Sequence, residues 1–192
     1  LAVIVKDKDP CNMNIELKRL DTLDPNFENI FSEFEDTFYD ILSNSYSTYY
    51  GKDYHSDRIR KGHAVLYVAF VDNSLVAVSY IKRNLRRGGT AVYPPEYRKL
   101  GLAQQLVEMS LKDFPNQYTI LSTNFEYSHK MLNLMEKVGF KKATTINEIK
   151  SIVGGEFSLL SNFRQFQNYY VFDRESEKRE TKREFLTLLH TF

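Results

Sequence analysis

The stretch Tyr93-Pro94-Pro95-Glu96-Tyr97-Arg98-Lys99-Leu100-Gly101-Leu102-Ala103, running on into Gln104-Gln105-Leu106-Val107, carries the reading of this chain. Upstream, Thr90 to Tyr93 is a short apolar segment of β type. The two prolines end it, because proline has no amide hydrogen for a sheet ladder. Downstream an amphipathic helix begins, with Leu102, Leu106, Met109 and Phe114 expected on one face and Pro115 as its stop. Between strand and helix lies a basic loop with one glycine. That layout makes an anion site. The first amides of a helix have no partner within it, the helix dipole favours negative charge, and Gly101 and Ala103 leave room for close approach to the backbone. The anion that suits this cradle is the pyrophosphate of a nucleotide-like cofactor. The two common phosphate signatures, Gly-x-x-x-x-Gly-Lys-Ser/Thr and Gly-x-Gly-x-x-Gly, do not occur in the chain.

Working outward, Ala64 to Val71 and Leu75 to Ile81 are nearly continuous apolar runs interrupted by Asp72-Asn73-Ser74. They predict a hairpin of two largely buried strands. Gly88-Gly89 marks the next turn. Ile15 to Leu20 alternates and reads as a first strand. Phe27, Ile30, Phe31, Phe34, Phe38, Ile41 and Leu42 recur at helical spacing, so one amphipathic helix is expected from Asn26 to Ser43. A weaker helical or loop segment follows, from Tyr46 to Lys61. Beyond the loop, Tyr118 to Ser122 reads as a strand. Ser128 to Val138 reads as a helix with Met131, Leu134, Met135 and Val138 aligned, ended by Gly139. Phe140 to Ile146 is strand-like, Ile149 to Phe163 suggests a short helix and a turn, and Tyr169 to Phe172 is a strand. Asp173 to Glu184 is a mixed-sign charge run, followed by Phe185, Leu186, Leu188 and Leu189, which suggests a terminal helix. The order is that of an α/β protein with an antiparallel hairpin in the middle.

At 192 residues the chain fits one domain with a short appendage. We expect a main domain over 1–172 and a charged helical extension over 173–192. A net charge of +1 gives no bulk attraction to nucleic acid or membrane. No apolar run approaches the ~20 residues of a membrane span. The single Cys11 cannot form an intramolecular disulfide. A cytoplasmic location is therefore expected. Because the chain begins with Leu1, it is expected to be a processed form or an excised domain. His55, His63 and His190 make no metal-ligand spacing with one another or with Cys11, so no metal is expected.

Arg98-x-x-Gly101-x-Ala103 matches the Arg/Gln-x-x-Gly-x-Gly/Ala signature of the GNAT superfamily of acyl-CoA-dependent N-acyltransferases, which this chain resembles over about residues 66–141. Pro95-Glu96-Tyr97-Arg98 looks like the family's common lead-in. The hairpin from Tyr67 to Ala77 and the segment Glu136-Lys137-Val138-Gly139-Phe140 resemble the family's hairpin and its Glu-Lys-x-Gly-Phe helix end. The resemblance implies a mixed, largely antiparallel sheet, splayed at the cofactor site and flanked by helices. It also implies acetyl-CoA as co-substrate. The strand ending in Val92 and Tyr93 would pair with the pantetheine arm, and the backbone of Arg98, Lys99, Leu100, Gly101, Leu102 and Ala103 would cradle the pyrophosphate. Arg98 and Lys99 would be its charge partners.

The chain departs from the family in its proton donor. The family's general-acid Tyr would fall at Met135, which cannot donate a proton and reads as packing. The family's cofactor-binding Asn would fall at Ser128, with Asn124 four residues earlier; Ser128 also suits a helix cap. Proton handling then falls to Glu126 as base, and Tyr127 or His129 as acid, with Tyr93 a further candidate beside its role in strand packing. Family members also work by proximity and carbonyl polarisation alone.

In this family the first two helices and the C-terminal segment wall the acceptor site. Here that region holds Asp21, Asp24, Glu28, Glu33, Glu35, Asp36 and Asp40, which suggests a cationic amine: a polyamine, an aminoglycoside-like molecule, a lysine or a peptide N-terminus. The competing reading makes these acids the solvated face of a helix. Lys82, Arg83, Arg86 and Arg87 could meet the 3′-phosphate of CoA, an acidic partner or water. The expected activity is N-acetyl transfer to a primary amine by direct attack. A non-catalytic acyl-CoA-binding protein and an interaction domain remain open, as does a homodimer.

Overall fold

The computed structural model describes residues 13–45, 51–61, 63–83, 87–113, 118–124, 128–143, 147 and 167–173. By internal contacts the chain divides into two units, Leu1–Arg83 with Thr90–Ser110, and Asn84–Gly89 with Leu111–Phe192.

In the first unit the elements are β1 (Ile15–Asp21), α1 (Phe27–Ser32), α2 (Glu35–Ser45), α3 (Lys52–Lys61), β2 (Ala64–Val71) and β3 (Ser74–Lys82). β4 (Arg87–Val92) follows, then a 3₁₀ helix (Pro95–Leu100) and α4 (Leu102–Asp113). β4 and α4 each cross from one unit to the other. β1 pairs with β2 and β2 with β3, both antiparallel. The hairpin turn is built by Asp72 and Asn73 at φ 49° and 66°, left-handed conformations that match the twist of the flanking strands. Ala69 pairs with Ala77 but Phe70 with Leu75, so Val76 is an extra residue in β3. Its carbonyl accepts the Tyr93 amide at 3.0 Å, which seats the end of β4 beside β3.

The first core lies between α1–α3 and one face of this sheet. Phe31 is fully buried and stacks on Phe27 at 5.0 Å, with Phe38 at 5.2 Å and Phe34 at 5.6 Å edge-on. Burying one such ring contributes about 1.5–3 kcal/mol. The alternate residues of β2, Val65, Tyr67, Ala69 and Val71, are buried as well, so both faces of the hairpin are covered. The single helix expected from Asn26 to Ser43 is two helices. At the break the Phe34 amide turns back to the Phe31 carbonyl at 3.1 Å, and the Phe38 amide then takes the Phe34 carbonyl at 2.9 Å. This tight turn keeps Phe31, Phe34 and Phe38 in one aromatic cluster, so the apolar period runs through a break in the backbone. Ile30, placed on that face by spacing, is exposed.

The second unit contains β5 (Tyr118–Asn124), α5 (Ser128–Val138), β6 (Lys141–Ala143) and β7 (Gln167–Asp173). β7 lies between β5 and β6 and is antiparallel to both. The start of β4 runs parallel to β5 over two pairs, Arg87↔Ile120 and Gly88↔Leu121. Gly88-Gly89, expected as a turn, is therefore strand, with Gly88 on the ladder where backbones approach closely. α5 has the expected bounds. It ends in a Schellman motif: Gly139 at φ 93° sends its amide to the Glu136 carbonyl at 3.0 Å, and Phe140 sends its own to Met135 at 2.8 Å. The expected elements over Ile149 to Phe163 and in the tail beyond Asp173 lie outside the described residues.

Candidate functional site

The loop read as an anion cradle is a turn of 3₁₀ helix. The Tyr93–Pro94 peptide is cis, the Tyr97 amide bonds the Pro94 carbonyl at 3.2 Å, and Gly101 closes the segment at φ 70°, ψ 12°. That left-handed conformation favours glycine, and a Cβ built there meets nothing within 4 Å. Open space over Gly101 is what close approach by a ligand requires. The first rung of α4 runs from the Gln105 amide to the Gly101 carbonyl at 3.1 Å. The amides of Leu102, Ala103 and Gln104 precede that ladder and stand at the positive end of a 12-residue helix.

Several cations elsewhere in the first unit are paired with carboxylates. Lys18 pairs with Glu16 at 3.3 Å, Arg19 with Asp21 at 3.2 Å, Lys52 with Asp36 at 2.6 Å, Arg60 with Glu28 at 2.9 Å and Lys61 with Asp57 at 2.9 Å. Arg83 pairs closely with Asp21. Arg98 and Lys99 have no carboxylate partner among the described residues. Arg98 instead donates from Nε to the Val92 carbonyl at 3.2 Å. Tyr93 is half-buried and packs against the aromatic core, and its amide is committed to Val76, so strand packing describes it. A Ser79–Thr90 hydroxyl pair at 2.9 Å joins β3 to β4 and was not anticipated; two separate hydroxyls carry no sign of their pairing in sequence.

Met135 is fully buried, as expected of a packing residue. Asn124 closes β5, opposite Gln167 of β7, while Ser128 and His129 open α5. These three belong to the second unit. Glu126 and Tyr127 lie outside the described residues. On α4 the buried residues are Leu102, Leu106, Val107, Ser110 and Leu111; Met109 is half-buried, and Phe114 lies outside the described residues.

The acidic run is largely engaged. Arg60 donates from Nε and Nη2 to the two oxygens of Glu28, at 2.9 Å each, and reaches Glu35 at 3.5 Å. Lys52 lies 3.7 Å from Glu35 as well as against Asp36. Hydrogen bonding from Arg60 holds the Glu28 carboxyl below its ordinary pKa. Burial raises that of Asp21, but the Leu23 amide, Arg83 and Arg19 outweigh it and the net shift is downward. Asp24 accepts the Asn26 amide at 2.8 Å, a local turn. Within the acidic run, only the carboxylates of Glu33 and Asp40 have no partner among the described residues; the Asp40 backbone carbonyl accepts from the Ser43 and Asn44 side chains. In the basic cluster, Arg83 is engaged by Asp21, and Arg86 lies outside the described residues. Among the described residues no group of His, Cys, Asp and Glu could hold a metal. No described helix is long and apolar enough to cross a membrane.

No protein-family model matches the chain, and no curated protein sequence does. Solved structures do. The ribosomal-protein-S18-alanine N-acetyltransferase of Escherichia coli superposes with a TM-score of 0.53 at 12% identity, covering 82% of this chain and 91% of that one. The spermidine/spermine N-acetyltransferase SpeG of Vibrio cholerae gives 0.54 at 12%, covering 87% and 98%. A chain of the NatC complex bound to Gag peptide and CoA gives 0.54 at 20%, covering 83% and 98%. The first two are N-acetyltransferases. The chain has the GNAT fold: a mixed, largely antiparallel sheet with flanking helices.

Proposed function

We propose that the chain binds acetyl-CoA through residues 92–103 and transfers its acetyl group to a primary amine by direct attack in a ternary complex. The observation that carries this reading is the pair Arg98 and Lys99, cations without a carboxylate among the described residues, beside a left-handed Gly101 and the first amides of α4. Arg98, Lys99 and the backbone from Leu100 to Ala103 would hold the pyrophosphate, and Val92 and Tyr93 the pantetheine arm, with Asn124 and Ser128 as further contacts. Bound acetyl-CoA supplies an activated thioester: the amine nitrogen bonds to the acyl carbon, the C–S bond breaks, and the amine's surplus proton goes to base or thiolate. Glu126 is the proposed base and Tyr127 or His129 the proposed acid. The similar solved structures include a spermidine/spermine N-acetyltransferase and a ribosomal-protein-S18-alanine N-acetyltransferase, which makes polyamines and protein amines the first acceptors to test. Of the acidic run, Glu33 and Asp40 are the residues left to meet such a cation. The protein is proposed to act in the cytoplasm, with 173–192 as an extension outside the catalytic domain.

The second reading, a non-catalytic acyl-CoA-binding protein, draws on Met135, a buried residue at the position the resemblance assigns to the family's acid. Calorimetric titration with acetyl-CoA, beside Gly101→Glu, tests binding. We expect micromolar affinity in the parent and a loss of tenfold or more in the variant, about 1.4 kcal/mol. Thiol release in an amine panel then separates the readings: binding without turnover of any amine would leave only the second.

A further inference from the structure

Arg98 is tied to the backbone of the strand that precedes it. The Tyr93 amide faces β3, bonding the Val76 carbonyl at 3.0 Å. The Val92–Tyr93 peptide is trans, since the cis bond lies one residue later. In a trans peptide, carbonyl and amide hydrogen point opposite ways, so the Val92 carbonyl is turned away from β3. Val92 is the last residue of β4, and the β5 ladder ends at Gly88. Arg98 Nε fills that carbonyl at 3.2 Å, bridging back over six residues. Its charge is meanwhile met by no carboxylate among the described residues.

We infer that Arg98 is a stand-in donor: it holds the outward carbonyl of Val92 until a pantetheine amide takes that place, and then turns its guanidinium to the pyrophosphate. This rests on the reading of the loop as an acyl-CoA site and adds a coupling between the two halves of that ligand. A pyrophosphate group draws Arg98 off Val92 and frees the acceptor that the arm needs. Each half therefore binds more tightly in the presence of the other, without any contact between them. A carbonyl has two lone pairs, so the rival arrangement is that Arg98 stays in place while the arm adds beside it. That rival gives no coupling.

The test is an NMR-detected titration of the full chain with S-acetylpantetheine, with and without saturating ADP. In the parent we expect ADP to tighten S-acetylpantetheine at least about fivefold. In Arg98→Leu the fragment should bind as tightly without ADP as the parent does with it, and the coupling should vanish. Arg98→Lys keeps the charge but loses Nε. It should bind S-acetylpantetheine without ADP as tightly as the parent does with it and show no coupling, which serves if the Leu variant fails to fold. Independent binding of the two fragments by the parent, or coupling that survives in either variant, overturns the inference and leaves the acyl-CoA site standing. If the parent binds neither fragment nor acetyl-CoA, both fall together.

Discussion

Met135 and Gly101 show two opposite ways in which one residue constrains this protein. Met135 has no exposed surface and ends its helix turn by offering its carbonyl to Phe140. Met135→Ala should lose about 2–5 kcal/mol in denaturant unfolding, the cost of a cavity that neighbours cannot fully close. Met135→Tyr should not create a working acid; a larger polar side chain in a closed core is expected to lower stability and leave the acetylation rate at or below that of the parent. Gly101 is limited by backbone rather than space. Any side chain there is held at φ 70°, which costs about 1–2 kcal/mol. Gly101→Ala should therefore lower stability by about that amount while weakening acetyl-CoA less than Gly101→Glu does. Equal loss of affinity in both variants would assign the effect to backbone strain and not to the ligand's path.

Among elements, α3 is the one whose role sequence understated. Read as a weak helix or loop, it supplies Lys52 and Arg60, the cations that engage Asp36, Glu28 and Glu35 of α1 and α2. A double-mutant cycle on Glu28 and Arg60 should give a coupling of about 0.5–1 kcal/mol, the range for pairs open to solvent on one side. The pH dependence follows in sign. Glu28 and Asp21 have carboxyls held below their ordinary values of 4.5 and 3.8 in the folded chain. Their contribution is complete above those ordinary values and fades as pH falls through the lowered ones. Unfolding followed from pH 6 to pH 2, values chosen to bracket the ordinary carboxyl range of about 4, should show stability falling at the acid end. The fall should be shallower in Glu28→Gln. The same pairing bears on the acceptor: a charge run that looked available in sequence is mostly committed, so Glu33→Gln and Asp40→Asn are the acidic substitutions expected to raise KM for a cationic amine.

For the whole molecule, ligand linkage gives the broadest test. Acetyl-CoA at a hundredfold excess over its Kd should add about 2.7 kcal/mol to unfolding, and ATP at equal concentration should add less. Much of the architecture was open to reading in sequence because its signals are local. The bounds of α5, the hairpin over Ala64 to Ile81 and the start of α4 follow from periodicity, turn residues and a terminal glycine, none of which needs a distant partner. The turn that ends at Gly101 and opens α4 was legible for the same reason, being continuous in the chain. Other features belong to folding alone. The break between α1 and α2 depends on how Phe31, Phe34 and Phe38 pack, and helical spacing is the same on either side of it. Gly88-Gly89 looks like a turn until the chain brings Leu121 alongside. The acids of α1 and α2 looked free until a helix 32 residues further on placed Arg60 against Glu28. The Arg98–Val92 bond hung on which way one carbonyl points, and β3 decides that through Val76. Periodicity reports which side chains seek the core; hydrogen bonds and ion pairs between distant segments depend on distance and direction, which a linear sequence does not contain.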